Sequence, residues 1–180
     1  GMTWAGFGGG SIHTDHHAIV YYPGDSDQIL FGNDGGMYKS YDGSAGSPTF
    51  TDKNNSYNVT QFYAVAMHPN SGSNYMLGGT QDNATPKFTN PGLSTTSCVL
   101  CCCDGGWAFI DEDNPAIQIA STQDGSFNVS TDGGGTFGNI VPGSDPRIFI
   151  TPAEYDHAAN ILYYSDSGGR FGRVSDVGGA

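Results

Sequence analysis

The sequence predicts an all-β fold, and its composition, its turn residues and an internal repeat support this prediction. Of 180 residues, 28 are Gly and 9 are Pro, so about a fifth of the chain favours turns. Asp outnumbers Glu 16 to 2 and there are only five Leu, whereas helices favour Glu, Leu and Ala. This composition excludes a helical bundle. No run of 18 apolar residues occurs, so we expect no membrane span.

A repeat along the chain sets the order of the predicted strands. Each unit has a short apolar strand, a turn, a second apolar strand that leads to an Asp, and then a third strand. First strands are predicted at Ala18–Tyr22, Ala64–Met67, Ala108–Ile110 and Ile148–Ile150. Second strands are predicted to lead to the marker residues Asp34, Asp82, Asp124 and Asp166.

The spacing of these marker aspartates predicts the architecture. They lie 48, 42 and 42 residues apart, and a period of this length with about four strands is typical of a β-propeller blade. The sequence therefore predicts one partial propeller of about four four-stranded blades, a half or partial ring. The blades are expected at residues 13–60, 61–104, 105–145 and 146–180, with strands starting near 16, 62, 106 and 147.

Two turns between predicted third and fourth strands share the pattern Ser-x-Asp-x-Gly-x-x-aromatic, the Asp box. The complete copy consists of Ser130, Asp132, Gly134 and Phe137. Ser40 and Asp42 open a second copy, with three extra residues before Phe50. We predict a structural role, because the Asp carboxylate accepts N–H groups of its own turn and Gly supplies positive φ.

The Asp boxes resemble the sialidase-type BNR repeat superfamily of β-propellers, which includes sialidases, xyloglucan-active endoglucanases and sortilin-like receptors. More narrowly, four motifs in order are similar to a group of secreted bacterial propeller proteins described as glycosyl-hydrolase-like, of unknown function. These motifs are His13-Thr-Asp15-His-His17, Gly32-Asn-Asp-Gly-Gly36, Gln61-Phe-Tyr63 and Gly78-Gly-Thr-Gln-Asp-Asn83. The resemblance implies a secreted or periplasmic protein and covers roughly residues 11–140. It departs at Cys101–Cys103, where the group has Gly-rich sequence.

The turns after the second strands are predicted to surround one mouth of the channel, because loops of a blade alternate between the two faces. The resemblance implies ligand binding on this face. The candidate ligand-binding residues are Asn33, Asp34, Gln81, Asp82, Asn83, Gln123 and Asp124. The Asn33–Gly36 turn resembles one that holds a catalytic carboxylate in xyloglucan-active enzymes, and this likeness reaches only Asp34.

Asp34 and Asp82 are the candidate catalytic residues of a glycoside hydrolase. Glycoside hydrolysis needs two carboxyl groups about 5–9 Å apart, one of them with a raised pKa. A carboxylate that recurs in every blade is more simply a turn residue that binds backbone N–H groups. A sialidase would need an arginine cluster, and the chain has only three, Arg147, Arg170 and Arg173.

His13, Asp15 and His17 are candidate metal ligands, because on an extended strand they would share one side. Two imidazoles and a carboxylate suit zinc with an open fourth position, and the acids and backbone oxygens would suit calcium. A hydrogen-bonded structural cluster is the favoured alternative, and catalysis is a third. His17 aligns with an aromatic position in the other blades, namely Tyr63, Trp107 and Phe149.

Four cysteines lie within six residues, and Cys98-x-x-Cys101 has zinc-knuckle or redox spacing. A closed zinc site usually needs a second pair of ligands far along the chain, and no other Cys is present. Buried free thiols are the favoured interpretation of Cys98, Cys101, Cys102 and Cys103. A disulfide and a metal site are the alternatives.

The charge and length of the chain limit its partners. Six basic residues against 18 acidic ones give a net charge of −12, which argues against nucleic-acid binding.

The first dozen residues lack the features of a signal peptide, and Gly1 before Met2 is expected to be a tag remnant. Four blades make half of a ring of about eight, so we expect a two-fold homodimer that closes the ring, or a piece of a longer chain.

Two main functions remain open at this point. The first is a binding or interaction module that recognises a glycan or a protein. The second is a glycoside hydrolase that uses Asp34 and another acid at the channel mouth, and a partial gene product without independent activity is a third possibility.

Overall fold

The chain is described by a computed structural model over residues 12–57, 59–90, 97–143 and 147–179. These residues contain two single-turn 3₁₀ helices, Gln123–Gly125 and Ser167–Gly169, and no α-helix. Their strands form four antiparallel sheets in which sequence neighbours are sheet neighbours. The predicted all-β fold with propeller blades is confirmed. The chain divides into two compact units, Gly1–Val59 and Thr60–Ala180.

The first unit contains one four-stranded sheet. Its strands are β1 (His16–Tyr22), β2 (Asp25–Asn33), β3 (Gly36–Ser40) and β4 (Thr51–Asp52). Alternation along β2 turns Ile29 and Phe31 to one face, where both are buried. Phe50 packs edge-on against Phe31 with ring centroids 5.2 Å apart, so the long turn between β3 and β4 contributes to the small core of this blade.

The second unit contains the other three sheets, of which the last has three strands. The second blade has β5 (Phe62–Met67), β6 (Met76–Thr80), β7 (Pro86–Phe88) and β8 (Ser97–Cys98). The third has β9 (Gly105–Ile110), β10 (Gln118–Thr122), β11 (Ser126–Ser130) and β12 (Gly138–Val141). The fourth has β13 (Ala153–Asp156), β14 (Ile161–Asp166) and β15 (Arg170–Val174).

Hydrophobic side chains join these blades face to face. One buried cluster packs the third blade against the fourth and includes Ile119, Phe127, Tyr155 and Leu162. A second cluster packs the second blade against the third and consists of Leu77, Ala108 and Ile110. The Tyr155 hydroxyl donates to the buried carboxylate of Asp111 at 2.6 Å, which satisfies both polar groups inside the interface.

The first strand of the fourth blade lies later than the sequence predicted. It is Ala153–Asp156, whereas we expected a strand at Ile148–Ile150. The Thr151 hydroxyl donates to the carbonyl of Ile148 at 2.8 Å and closes a turn there. The expectation was wrong because Glu154 and Asp156 suggested a turn, although they alternate with Ala153 and Tyr155 as in a half-buried strand.

The third strand of a blade separates two turns that the sequence had placed on opposite faces. In the third blade, β11 separates Asp124 from Asp132, and in the first blade β3 separates Asp34 from Asp42. A five-residue strand is about 17 Å long, so these two turns lie at opposite ends of their blade. Within the described ranges, no helix has the length and apolar character needed to cross a membrane.

Candidate ligand-binding sites

The turn between β2 and β3 carries the first candidate residues, Asn33 and Asp34. The buried Asn33 amide donates to the carbonyl of His13 at 3.0 Å. The Asp34 carboxylate pairs with Nε2 of His17. Asn54 holds the same turn, because its side-chain amide donates to the carbonyl of Gly35 at 2.9 Å. The Asp34 carboxylate is thus engaged by an imidazole.

The predicted metal ligands do not share one side of a strand. β1 begins at His16, and Asp15 before it has a φ of 56°, in the left-handed region. Such a residue interrupts the alternation of an extended strand. The expectation that the three residues share one side of an extended strand is therefore wrong, and the His17 imidazole contacts Asp34. A zinc or calcium site on these residues stays a prediction.

In the second unit, Asp104 links two of the candidate turns. Its carboxylate accepts the backbone N–H of Asp82 at 2.7 Å, and its own N–H donates to the side-chain oxygen of Gln123 at 2.7 Å. Gln123 returns a backbone N–H to the carbonyl of Asp104 at 3.0 Å. Asp104 was not among the predicted site residues, although its position before Gly105 and Gly106 marks the entry to the third blade.

The other candidates on these turns have local partners. Gln81 accepts the hydroxyl hydrogen of Tyr63 at 3.0 Å, and the Asn83 side chain donates to the carbonyl of Gln81 at 3.1 Å. Asp82 and Asp124 have φ of 58° and 60°, a conformation that Asp tolerates better than most residues. The marker aspartates of the second and third blades therefore adopt the same left-handed conformation.

Arg147 joins the third blade to the marker aspartate of the fourth. Its guanidinium contacts the Asp166 carboxylate at 3.1 Å and donates to the carbonyls of Gly125 and Pro142 at 3.0 and 2.8 Å. It also lies over the ring of Tyr164, 5.2 Å from the centroid. The Arg147 side chain is 9% exposed, so these contacts fix the turn rather than leave a free cation for a ligand.

The ionisation of the marker carboxylates bears on the hydrolase hypothesis. Hydrogen bonding to Ser167 N–H and to Arg147 lowers the pKa of Asp166, whereas the general acid of a glycosidase needs a raised pKa. The two candidate catalytic residues, Asp34 and Asp82, belong to different units of the chain. Their catalytic role stays a prediction.

The two Ser-x-Asp turns have matching contacts. Asp132 accepts the N–H groups of Gly135 and Thr136, each at 2.9 Å, and the hydroxyl of Ser130 at 2.7 Å. Asp42 accepts the N–H of Thr49 at 2.9 Å and the hydroxyl of Ser40 at 2.8 Å. Hydrogen bonds to Ser130 and Thr136 hold the pKa of Asp132 well below its usual range.

The neighbours of the complete turn tie it to the preceding blade. Phe137 packs against the cluster around Leu77, and the carbonyl of Gly134 accepts a hydrogen bond from Lys87 Nζ at 3.0 Å. Gly134 has a φ of 83°, which favours glycine. All of these contacts are structural.

A groove that sequence analysis did not anticipate runs along the inner strands of the second unit. Its volume is about 580 Å³. The walls include Val65 and Met67 of β5 and Phe109 of β9, and Glu112, Asp113 and His157 lie in the turns at one end. Val65 is 65% and Met67 69% exposed. Alternation along β5 places Val65 and Met67 on the same face of that strand, but no local pattern shows whether another blade covers this face.

The cysteines do not form the buried set that the sequence favoured. β8 ends at Cys98, and Cys101, Cys102 and Cys103 lie exposed in the loop that follows. All four thiols are free. The expectation of burial was wrong because the segment leaves the sheet after two paired residues.

Comparisons with known proteins give fold-level likenesses only. No protein-family model matches the chain, and no curated protein sequence matches it. An ancestral GH74 enzyme is 17% identical with a TM-score of 0.45, over 83% of this chain and 21% of its own. The GH74 enzyme of Niastella koreensis is 15% identical with a TM-score of 0.45, over 86% and 22%.

YCF48, in a structure with a bound D1 peptide, is 12% identical with a TM-score of 0.45, over 84% of this chain and 49% of its own. The chain thus spans about a fifth of the GH74 chains. The propeller assignment rests on the four sheets of this chain, on their strand order and on the packing of the blades in the second unit.

Proposed function

We propose that this chain is the binding module of a secreted bacterial protein and that it takes an extended polypeptide in the groove of the second unit. The exposed pair Val65 and Met67 carries the proposal. Exposed apolar side chains beside polar ones are typical of interaction sites, and these two side chains line a groove of about 580 Å³ whose exposed surface is otherwise mostly polar. Secretion is supported by the sequence motifs and by the excess of acidic residues.

The chemistry of the groove favours a particular ligand. Glu112 and Asp113 are exposed at its end, so a lysine or arginine in the ligand would meet complementary charge there. Val65 and the flexible thioether of Met67 suit an aliphatic or aromatic side chain. The ligand that fits is a peptide in which an apolar residue and a basic residue lie close together.

A glycan fits the same surface less well. Sugar rings stack on exposed aromatic faces, whereas Phe109 is only partly exposed and already stacks on Trp107, with ring centroids 6.0 Å apart and an interplanar angle of 3°. The hydrolase alternative is weakened because two of the marker carboxylates are already paired with basic side chains. Asp34 pairs with His17 and Asp166 with Arg147.

The test is selection from a displayed peptide library, followed by affinity measurements on the selected peptide. We expect enrichment of peptides that combine an apolar and a basic residue. Met67→Asp should weaken binding by about tenfold or more, since burying an apolar side chain is worth roughly 1.5–3 kcal/mol. Met37→Asp is the matched control, because Met37 is an exposed methionine outside the groove and its substitution should leave affinity unchanged.

Two outcomes would contradict the proposal. One is selection of peptides without basic residues, whose affinity responds equally to Met67→Asp and Met37→Asp. The other is release of reducing ends from xyloglucan or β-glucan oligosaccharides that Asp34→Asn abolishes, which would establish the hydrolase instead.

A further inference from the structure

Four thiols lie at the last residue of β8 and in the loop that follows it, and they form two neighbouring pairs. Cys98 is held in the sheet opposite Pro86. The thiol of Cys101 turns back over this strand end and donates to the Cys98 carbonyl oxygen at 2.9 Å. Cys102 and Cys103 are adjacent in the chain and form the second pair.

The two members of the first pair differ in access to solvent. Cys101 is exposed, whereas Cys98 is partly buried. Burial raises the pKa of the Cys98 thiol to about 11, so Cys98 is the poorer first nucleophile at neutral pH. In thiol–disulfide exchange, the exposed thiol attacks the oxidant first and forms a mixed disulfide. The shielded thiol beside it then attacks this mixed disulfide and closes the intramolecular disulfide.

The second pair is less suited to closing on itself. Adjacent residues have Cα atoms about 3.8 Å apart, whereas disulfides usually join Cα atoms about 4.4–6.8 Å apart. Cys98 and Cys101 are separated by two residues, the spacing of reversible dithiols.

We propose that Cys98 and Cys101 are a reversible dithiol pair that a small-molecule disulfide, such as oxidised glutathione, converts to an intramolecular disulfide. The Cys101 thiolate attacks one sulfur of glutathione disulfide and expels one glutathione thiolate. The Cys98 sulfur then attacks the Cys101 sulfur of this mixed disulfide and expels the second. The protein loses two protons and two electrons, and the glutathione disulfide gains them and becomes two glutathione thiols.

This site lies apart from the groove and does not depend on the proposed peptide ligand. The loop runs from β8 to Asp104, whose backbone and carboxylate hold the turns of Asp82 and Gln123. A disulfide between Cys98 and Cys101 would shorten the free part of the loop that leads to this junction.

The test equilibrates the intact chain with mixtures of reduced and oxidised glutathione, then quenches, alkylates free thiols and maps them by mass spectrometry. As the oxidised fraction rises, we expect Cys98 and Cys101 to lose alkylation together, with the mass of the protein reduced by two hydrogens. Added reductant should restore alkylation. Mapping of the alkylated thiols in the wild-type chain needs no substitution, so this result stands even if a variant folds poorly.

Two variants separate the roles of the thiols. Cys98→Ser should trap one glutathionyl group on Cys101, whereas Cys101→Ser should lose this adduct. The double variant C102S/C103S is the control and should form the disulfide as the wild type does. Alkylation of all four thiols at every glutathione ratio would overturn the proposal, as would a disulfide that includes Cys102 or Cys103.

Discussion

Asp132 shows how a single exposed carboxylate can hold a turn. Its oxygens accept two backbone N–H groups and two hydroxyl groups within the turn. The hydrogen bond from Ser130 and those from Thr136 lower the pKa of Asp132 below its unfolded value of 3.8. A carboxyl group whose pKa is lower in the folded state stabilises the fold at pH values above its unfolded pKa. This stabilisation is lost as the pH falls through the folded-state pKa.

We therefore predict that Asp132→Asn lowers Tm by a few degrees near pH 7. The difference in Tm between this variant and the wild type should decrease as the pH falls from about 5 to 2. Thermal melts across this range measure both effects. Thr131→Ala, an exposed neighbour, is the control and should leave Tm unchanged. A difference in Tm between variant and wild type that stays constant down to pH 2 would show that the carboxylate charge does not stabilise the turn.

The two arginines that approach Asp166 make a matched pair for a second test. Arg147 is nearly buried and also binds two carbonyl oxygens, whereas Arg170 is 73% exposed and lies 3.7 Å from the carboxylate. Arg147→Lys keeps the charge but loses the planar fork, so we expect it to cost about 2 kcal/mol of unfolding free energy. Arg170→Lys should cost less than about 0.5 kcal/mol, because exposed ion pairs contribute little.

Denaturant unfolding of both variants compares these costs directly. Equal losses for Arg147→Lys and Arg170→Lys would mean that the contacts between Arg147 and the carbonyls of Gly125 and Pro142 contribute nothing to stability.

At the scale of an element, the turn after β10 is restricted by its neighbours. Gly125 has a φ of 71°, and an added Cβ would lie 2.6 Å from Cδ of Arg147 and 2.7 Å from Oγ1 of Thr151. Gly133 has a similar φ of 75°, but an added Cβ would meet nothing within 4 Å. The pair thus separates the conformational cost of a left-handed residue from the cost of crowding.

We predict that Gly133→Ala costs roughly 1–2 kcal/mol, the penalty of the left-handed conformation. Gly125→Ala should cost about 1–3 kcal/mol more, since it also crowds a packed interface. Urea unfolding of the two variants provides the comparison, and equal costs would contradict the tight packing around Gly125.

The strands that were predicted well from the sequence share one property, a short apolar segment that leads to a marker aspartate. β6, β10 and β14 lie within the second strands predicted to start at Tyr75, Ile117 and Ile161, whereas β2 begins at Asp25, before its predicted start at Ile29. β13 was displaced because its outward residues, Glu154 and Asp156, are acidic. The groove was missed because it depends on which face of β5 other blades cover, and no local pattern encodes that.

At the scale of the whole molecule, the two units differ in their cores. Of the fourteen buried hydrophobic residues in the described parts of the chain, only Ile29 and Phe31 belong to the first unit. Buried apolar area is the main favourable term in folding, and local opening is easiest where few apolar contacts are made. The first blade should therefore open more readily than the blades that share the cluster around Phe127.

We predict that amide hydrogens in the paired strands β10 and β11 exchange at least about tenfold more slowly than those in β2 and β3, although both pairs are central antiparallel ladders. Hydrogen exchange followed by mass spectrometry measures both pairs in one experiment. Phe127→Ala should remove most of the difference, because deleting a buried aromatic side chain costs about 3–5 kcal/mol and acts on the cluster that protects β10 and β11. Equal protection of the two strand pairs in the wild-type chain would show that the number of buried apolar residues does not set the stability of a blade here.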